Sequence, residues 1–360
     1  MSNPPPNLAA VDANAGLASN MPSSVGSVAP RSSGRSIDTT LLLFLAVWLI
    51  FNSHLESFYP LSWLAADGLL GNLMFFVISG YGIQRSLSQS HNSFLPYCKK
   101  RLLRLYPTVW IVLVLFGVVL RNAVSGFGVA DYLEYFVWPT PFTYVHNILP
   151  FYIALWFICG RRNSVRLISI AIGLGVACYA GIVWLDARTI APGTRLSLGM
   201  RPESVSWCIY WIATAAGALA GAIDLRPRLS AARVCVILGL VLSYFALKVL
   251  MVVKGIASPF YFGLHVQSLA ICLLALATLS TPTFVKRVTQ TPLVGLFVRR
   301  SALLSLEIYV IHSCLLGMSW FTSIRFPLNI LVLAVLTFAL SEVVGLIART
   351  IRNRFGVGRE

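Results

Sequence analysis

From Thr39 onward the apolar residues of this chain come in ten blocks, near 39–55, 69–84, 107–120, 143–160, 165–185, 205–223, 234–253, 260–279, 301–321 and 329–348. Blocks of that length, parted by short polar and basic runs, predict membrane-crossing helices; strands would alternate apolar and polar positions. Several blocks are short or interrupted by Pro and Gly, and 143–160 carries His146, Asn147 and Pro150. Ahead of them, residues 1–34 are rich in Pro, Ser, Ala, Asn and Gly without apolar periodicity, which predicts a disordered tail. No basic run leads there into a short apolar stretch with a cleavage site, so no signal peptide is expected. The expected organisation is a tail over 1–34, a transmembrane region over 35–348 and a short basic tail over 349–360. The fold class is all-α, a polytopic transmembrane helical bundle of about ten spans.

Composition agrees and excludes the alternatives. Of 360 residues 57% are apolar and only 11% charged, too few charges to clothe a soluble surface. The net charge of +16 suggests nucleic acid or a membrane until the charges are located. With the N-terminus cytoplasmic, 21 basic residues fall on inside segments, 6 on outside loops, and Lys248 within a span. That bias follows the positive-inside rule for ten spans with both termini cytoplasmic. The basic excess therefore marks orientation, and no nucleic-acid partner is expected. The seven cysteines are scattered without C-x-x-C or Cys/His ligand spacing and read as small apolar residues, so no metal is expected.

Ionisable groups inside spans are costly and point to function or to hydrogen bonds between helices. They are His54, His146, Lys248, His265, Glu307, His312 and Glu342. His54 lies roughly 22 Å along the first span at 1.5 Å per residue, with no acid one turn away, so any orienting partner comes from another helix. In the second span Asn72, Phe76 and Ser79 share a face, and its glycines admit close approach of either a helix or a ligand. Arg101 and Arg104 stand one turn apart beside Lys99, a fork suited to phosphate or carboxylate, though basic residues there also serve topology and anionic lipid. Ser305, Tyr309 and His312 form one stripe, with Glu307 on the opposite side.

Four segments together resemble the acyltransferase 3 family. Gly-Asn-x-x-Phe-Phe-Val-Ile-Ser-Gly-Tyr at 71–81 is similar to its second-helix signature, and Lys-Arg-Leu-Leu-Arg-Leu-Tyr-Pro at 100–107 to its R-x-x-R entry to the third helix. Phe151 to Phe157 resembles its aromatic fourth-helix segment more loosely, and Ser305 to His312 its S-x-x-I-Y-x-x-H element. Order and spacing agree over roughly 35–345. The resemblance implies an integral-membrane O-acyltransferase that moves an acyl group, usually acetyl from acetyl-CoA, onto a sugar hydroxyl of a cell-surface polysaccharide or its lipid-linked precursor. Stand-alone members are similar to exopolysaccharide acetyltransferases of the bacterial inner membrane, which makes membrane lipid and other polysaccharide-synthesis proteins the expected partners. The family's first-helix histidine maps onto His54, its R-x-x-R pair onto Arg101 and Arg104, and its late Tyr and His onto Tyr309 and His312. One position departs: the arginine about eleven residues before the histidine is Leu43 here.

The expected chemistry follows. A hydroxyl needs a base as it attacks, and His54 is the candidate. Arg101, Arg104 and Lys99 would hold the acyl-CoA phosphates, while Tyr309, His312, Asn72 and Ser79 would face the developing oxyanion. The base then lies toward the outer end of its span and the clamp at the inner face, so either the pantetheine arm threads across or the first helix starts later. The competing class is a transporter or flippase for a lipid-linked or small sugar, for which no inverted repeat with matched broken helices is visible.

Overall fold

The computed structural model describes residues 37–65, 68–89, 93–119, 128–189, 203–254, 260–318 and 323–355; the tail over 1–34 lies outside them. It is all-helical over these residues. In chain order come α1 (Thr40–Ser53), α2 (Gly68–Gln89), α3 (Phe94–Leu113, continuing as a π-helical turn over Val114–Val119), α4 (Val129–Tyr132) and α5 (Thr143–Ile158). They are followed by α6 (Ser164–Thr189), α7 (Glu203–Ala222), α8 (Ala231–Lys254), α9 (Phe260–Thr278), α10 (Pro282–Thr289), α11 (Pro292–Leu303), α12 (Ser305–Leu316) and α13 (Leu328–Arg354).

Every predicted apolar block falls on a helix, but helix and crossing are not the same thing. Among the described residues five helices can cross a bilayer by length and composition: α2, α6, α7, α8 and α13, or six if α9 and α10, bent by 87° at their junction, make one broken span. The difference from ten has a physical reason. Helices α1, α5 and α12 have 14, 16 and 12 residues, or about 21, 24 and 18 Å at 1.5 Å per residue, short of a hydrocarbon core of roughly 30 Å. The 301–321 block also divides at Leu304, where α11 stops and α12 begins. Helix α10 and the start of α11, which no apolar block announces, each begin with proline at the first helical position after a threonine, where its missing N–H costs nothing. Helix α13 runs to Arg354, so the first half of the expected basic tail is helical.

The long helices divide by how they pack. Helices α6, α8 and α13 leave broad apolar faces outward: Leu174, Leu242 and Leu346 are 63%, 71% and 62% exposed, a surface that needs lipid. Helix α2 is the buried axis, in contact with α1, α5, α7 and α9. Its glycines set that position. A Cβ on Gly80 would lie 1.8 Å from the Thr214 carbonyl oxygen, and one on Gly217 of α7 would lie 1.9 Å from that of Val77. Only paired glycines let two helix backbones meet so closely. Gly71 meets the Ala46 carbonyl and Ile50 of α1 in the same way. The approach that the second-span glycines allow is thus to helices on both sides.

Hydrogen bonds gather the helix ends into two levels. At one, here called the basic end, the Asp38 N–H donates to Ser280 O, the Arg228 N–H to Ala277 O and the Gly160 N–H to Gln84 Oε1, while Arg85 pairs with Asp224 at 3.0 Å. At the opposite end Lys248 Nζ donates to Ala65 O (3.1 Å) and Asn329 Nδ2 to Phe58 O (3.3 Å).

Candidate active site

Helix α1 stops where its apolar run meets Asn52, Ser53 and His54, and these side chains answer the freed carbonyls. Ser53 Oγ donates to Ile50 O at 2.7 Å, Asn52 Nδ2 donates to Leu64 O at 3.1 Å, and the Tyr59 hydroxyl donates to Asn52 Oδ1. Burial raises the Tyr59 hydroxyl pKa, which keeps it a donor. His54 occupies the C-cap with its side chain exposed, and its Nδ1 lies 2.9 Å from Ile50 O.

Beneath it, fully buried on α12, is His312. Its Nδ1 lies 2.9 Å from Ile308 O and its Nε2 lies 3.2 Å from His54 Nδ1. These distances assign the protons. A carbonyl only accepts, so both Nδ1 atoms carry hydrogen. Neutral His312 then presents a lone pair at Nε2, and His54 Nδ1–H is shared between that lone pair and the Ile50 carbonyl. His54 Nε2 is left as the basic nitrogen. Each histidine reaches the carbonyl four residues before it, so two separate helices hold the pair in register. Phe51 and Tyr309 flank the His312 ring at 5.8 and 6.0 Å.

The next level toward the basic end is aromatic. The Tyr144 N–H, in the first turn of α5, donates to the Tyr309 hydroxyl at 3.0 Å, and Ser79 Oγ and the Tyr144 hydroxyl are 2.7 Å apart. Phe75 and Phe76 pack on Tyr144, and Phe76 stacks on Tyr210 with centroids 4.5 Å apart. Tyr309 and Ser79 therefore already have partners, and no hydrogen bond joins Asn72 or Ser79 to the histidine pair among the described residues. Asn72 Oδ1 is buried without a partner.

At the basic end the arginines of α3 separate. Arg101 is buried, with its guanidinium 5.6 Å from the Tyr97 ring and 5.7 Å from that of Tyr152 and one nitrogen 3.5 Å from Gly82 O; its Nε has no partner. Arg104 and Lys99 are exposed. The predicted fork thus has one prong inside the bundle against α2 and α5 and the other on its surface. Leu43, at the departing position, packs as an apolar side chain against the core.

The sequence singled out Glu307 without its partner, and it did not mark Tyr144. Glu307 is buried and accepts a hydrogen bond from Thr108 Oγ1 at 2.9 Å, tying α12 to α3. Tyr144 is the hub of the aromatic level; nothing in its local sequence marks it, since its partners lie on α2 and α12. No group of three or more His, Cys, Asp or Glu suited to a metal occurs among the described residues.

The family model described as "Acyltransferase domain", that of the acyltransferase 3 family, matches residues 38–346, which take in the histidine pair, the aromatic level and the α3 arginines. No curated protein and no solved structure gives a match. A match over most of the chain, on an all-helical architecture with lipid-facing helices, settles the class: the chain belongs to the acyltransferase 3 family and is a membrane acyltransferase.

Proposed function

We propose that this protein transfers an acyl group, acetyl in the first instance, from acyl-CoA to a sugar hydroxyl of a cell-surface polysaccharide or its lipid-linked precursor. The observation that carries the reading is the exposed His54, its Nδ1 proton held by the Ile50 carbonyl and His312 Nε2. His54 Nε2 takes the proton of the attacking hydroxyl as the new C–O bond forms at the thioester carbonyl. The C–S bond breaks, and the His54 imidazolium returns the proton to the leaving thiolate. His312 and Ile50 orient the ring and accept from it while it is charged, the part a carboxylate plays in a hydrolase triad. Arg101, buried with an unanswered Nε, is suited to a donor phosphate.

The depth of the site fits a long donor. Five residues of α12 separate Glu307 from His312, a rise of roughly 7.5 Å, and the donor-side arginines lie further out still. An extended pantetheine arm has this kind of reach, which favours a donor that threads the bundle. We place it as a multi-pass protein of a bacterial inner membrane, with the end rich in Lys and Arg in the cytoplasm.

The test is acyl transfer from acetyl-CoA to purified glycan by wild-type protein and by His54→Ala. Loss of transfer by the variant at normal membrane insertion is expected; near-normal transfer would remove His54 from this role. Mass spectrometry of the host polysaccharide with and without the gene identifies the acyl group, and glycan moved without chemical change would point instead to transport.

A further inference from the structure

The basic side of Glu307 holds more positive charge than the α3 fork supplies. Thr108 of α3 bonds Glu307 of α12, and a Cβ on Gly345 of α13 would lie 3.8 Å from Glu307 Cδ, so α3, α12 and α13 meet at this carboxyl. Arg104 precedes Thr108 by one turn on the same face of α3. Arg349 and Arg352 follow Gly345 by one and two turns on the same face of α13. Because α3 starts at the basic end and α13 finishes there, all three arginines lie on the outer side of Glu307 along the contact between the two helices. Arg352 accordingly interacts electrostatically with Glu307, Arg104 and Arg349. Arg349 and Arg352 thus both act on the buried Glu307 carboxyl, with Arg104 beside Arg352. Glu342, the nearby acid on α13, lies 3.7 Å from Arg300, and Arg349 lines the same groove. One turn further out on α3, Arg101 is 7% exposed and its Nε is unpartnered. Such a gathering of like charge is costly without an anion, and several phosphates would relieve it.

We propose that Arg349 and Arg352, with Arg104, form a second phosphate-binding wall for the acyl donor, on the α13 side of α3 beside Arg101. This rests on the acyl-CoA reading above. It assigns donor binding to two residues beyond position 346, where the family match ends. A nucleotide donor carries a pyrophosphate and a further phosphate, more anionic groups than a single arginine can meet, and guanidinium forks suit each of them. Anionic lipid headgroups offer the same chemistry, so the experiment must part the two.

The protein in nanodiscs of neutral lipid, and again of anionic lipid, would be assayed with acetyl-CoA and with acetyl-pantetheine, which lacks phosphates. For the double variant Arg349→Gln/Arg352→Gln the acetyl-CoA KM should rise about tenfold or more, the size of a lost charge-assisted bond or two. The kcat and the acetyl-pantetheine kinetics should stay within about twofold, in both lipids. An unchanged KM overturns the proposal, as does an equal loss with acetyl-pantetheine, which would mean a structural role. An effect confined to anionic nanodiscs also overturns it and makes lipid the occupant. If the double variant does not insert, Arg352→Lys keeps the charge without the fork and should still weaken acetyl-CoA by about threefold; no change there counts against the proposal. Calorimetric binding of CoA itself to the same proteins separates the two readings. A wild type that binds CoA through these arginines but transfers nothing sinks the proposed reaction alone, whereas turnover insensitive to them sinks this inference alone.

Discussion

At the end of the bundle where α1 and α12 finish, the polar groups around the histidine pair are answered by the protein itself. His54 Nδ1 faces a carbonyl and a ring nitrogen, His312 uses both its nitrogens, and Ser53, Asn52 and Tyr59 close the turn around them. At the basic end the balance is reversed: Arg101 is buried with an Nε that meets nothing, and Arg349 and Arg352 act on one buried acid, Glu307. The difference teaches what each end awaits. A base must be held in one tautomer before its substrate arrives, because reorganisation during the reaction would add to the barrier. A binding site for a polyanion stays undersatisfied until the polyanion comes. On the proposed reading one end serves a neutral hydroxyl and the other charge.

The largest expected effect breaks the histidine end outright. His54→Ala should lower acyl transfer by about 10²–10⁴ with the donor KM little changed, since a general base contributes in that range and does not bind donor. Steady-state rates against acetyl-CoA at fixed glycan measure both. A comparable rise in donor KM would mean that the two ends are not functionally distinct.

Next comes the support under the base. His312→Ala removes one of the two acceptors for His54 Nδ1–H and leaves a cavity, so kcat should fall by about 10–100-fold, the scale for a group that orients a reactive residue. His312→Gln, whose side-chain carbonyl can accept in place of Nε2, should recover part of that loss at unchanged substrate KM. Equal loss in both variants, with lowered thermal stability in each, would reduce His312 to packing.

On the basic side, Arg101→Gln should raise the acetyl-CoA KM about tenfold while leaving kcat near wild type, as expected where one charge-assisted hydrogen bond is lost. The same variant assayed with acetyl-pantetheine should behave as wild type. A fall in kcat alone would move Arg101 from holding the donor to shaping the bundle, through Tyr97 and Tyr152.

How much of this was legible in the chain depends on whether the signal was local. Apolar blocks mark helices because burial in lipid requires it, and every block falls on helix, the 301–321 block on two. Crossing is a different property: α1, α5 and α12 are apolar yet short, and these are the helices that carry His54, Tyr144, Tyr309 and His312. Individual site residues stood out as costly polar groups in hydrocarbon, but their partners did not. His54 and His312 are 258 positions apart, and only the packing of α1 on α12 joins them. Glu307 was read as lying on the opposite face from His312, and that angle agrees with its bond to Thr108; what the angle did not reveal was which helices meet there. Arg349 and Arg352 were absorbed into the count of inside charges, because orientation accounts for any cytoplasmic arginine. Gly71 and Gly80 were open to helix or ligand, and an added Cβ would lie 2.7 and 1.8 Å from the Ala46 and Thr214 carbonyl oxygens, so helices fill both places.

The smallest effect sharpens the comparison within a single turn of α3. Lys99 and Arg101 are two residues apart and were grouped as one clamp, yet Lys99 is exposed and Arg101 is 7% exposed between aromatic rings. A solvated ammonium interacts through high dielectric and is screened by salt, so its contribution to donor binding is worth about 1 kcal/mol at most. Lys99→Ala should therefore shift the acetyl-CoA KM by no more than about fivefold at low ionic strength, and by nothing measurable at roughly 1 M salt, where the screening length falls to about 3 Å. The shift caused by Arg101→Gln should largely survive that salt, because its partners exclude solvent. Measuring the two variants across a salt series asks whether burial, rather than charge, decides which residue of the clamp holds the donor. If Lys99→Ala matches Arg101→Gln at every salt concentration, burial does not decide it, and the contrast between the answered and the unanswered end loses its physical basis.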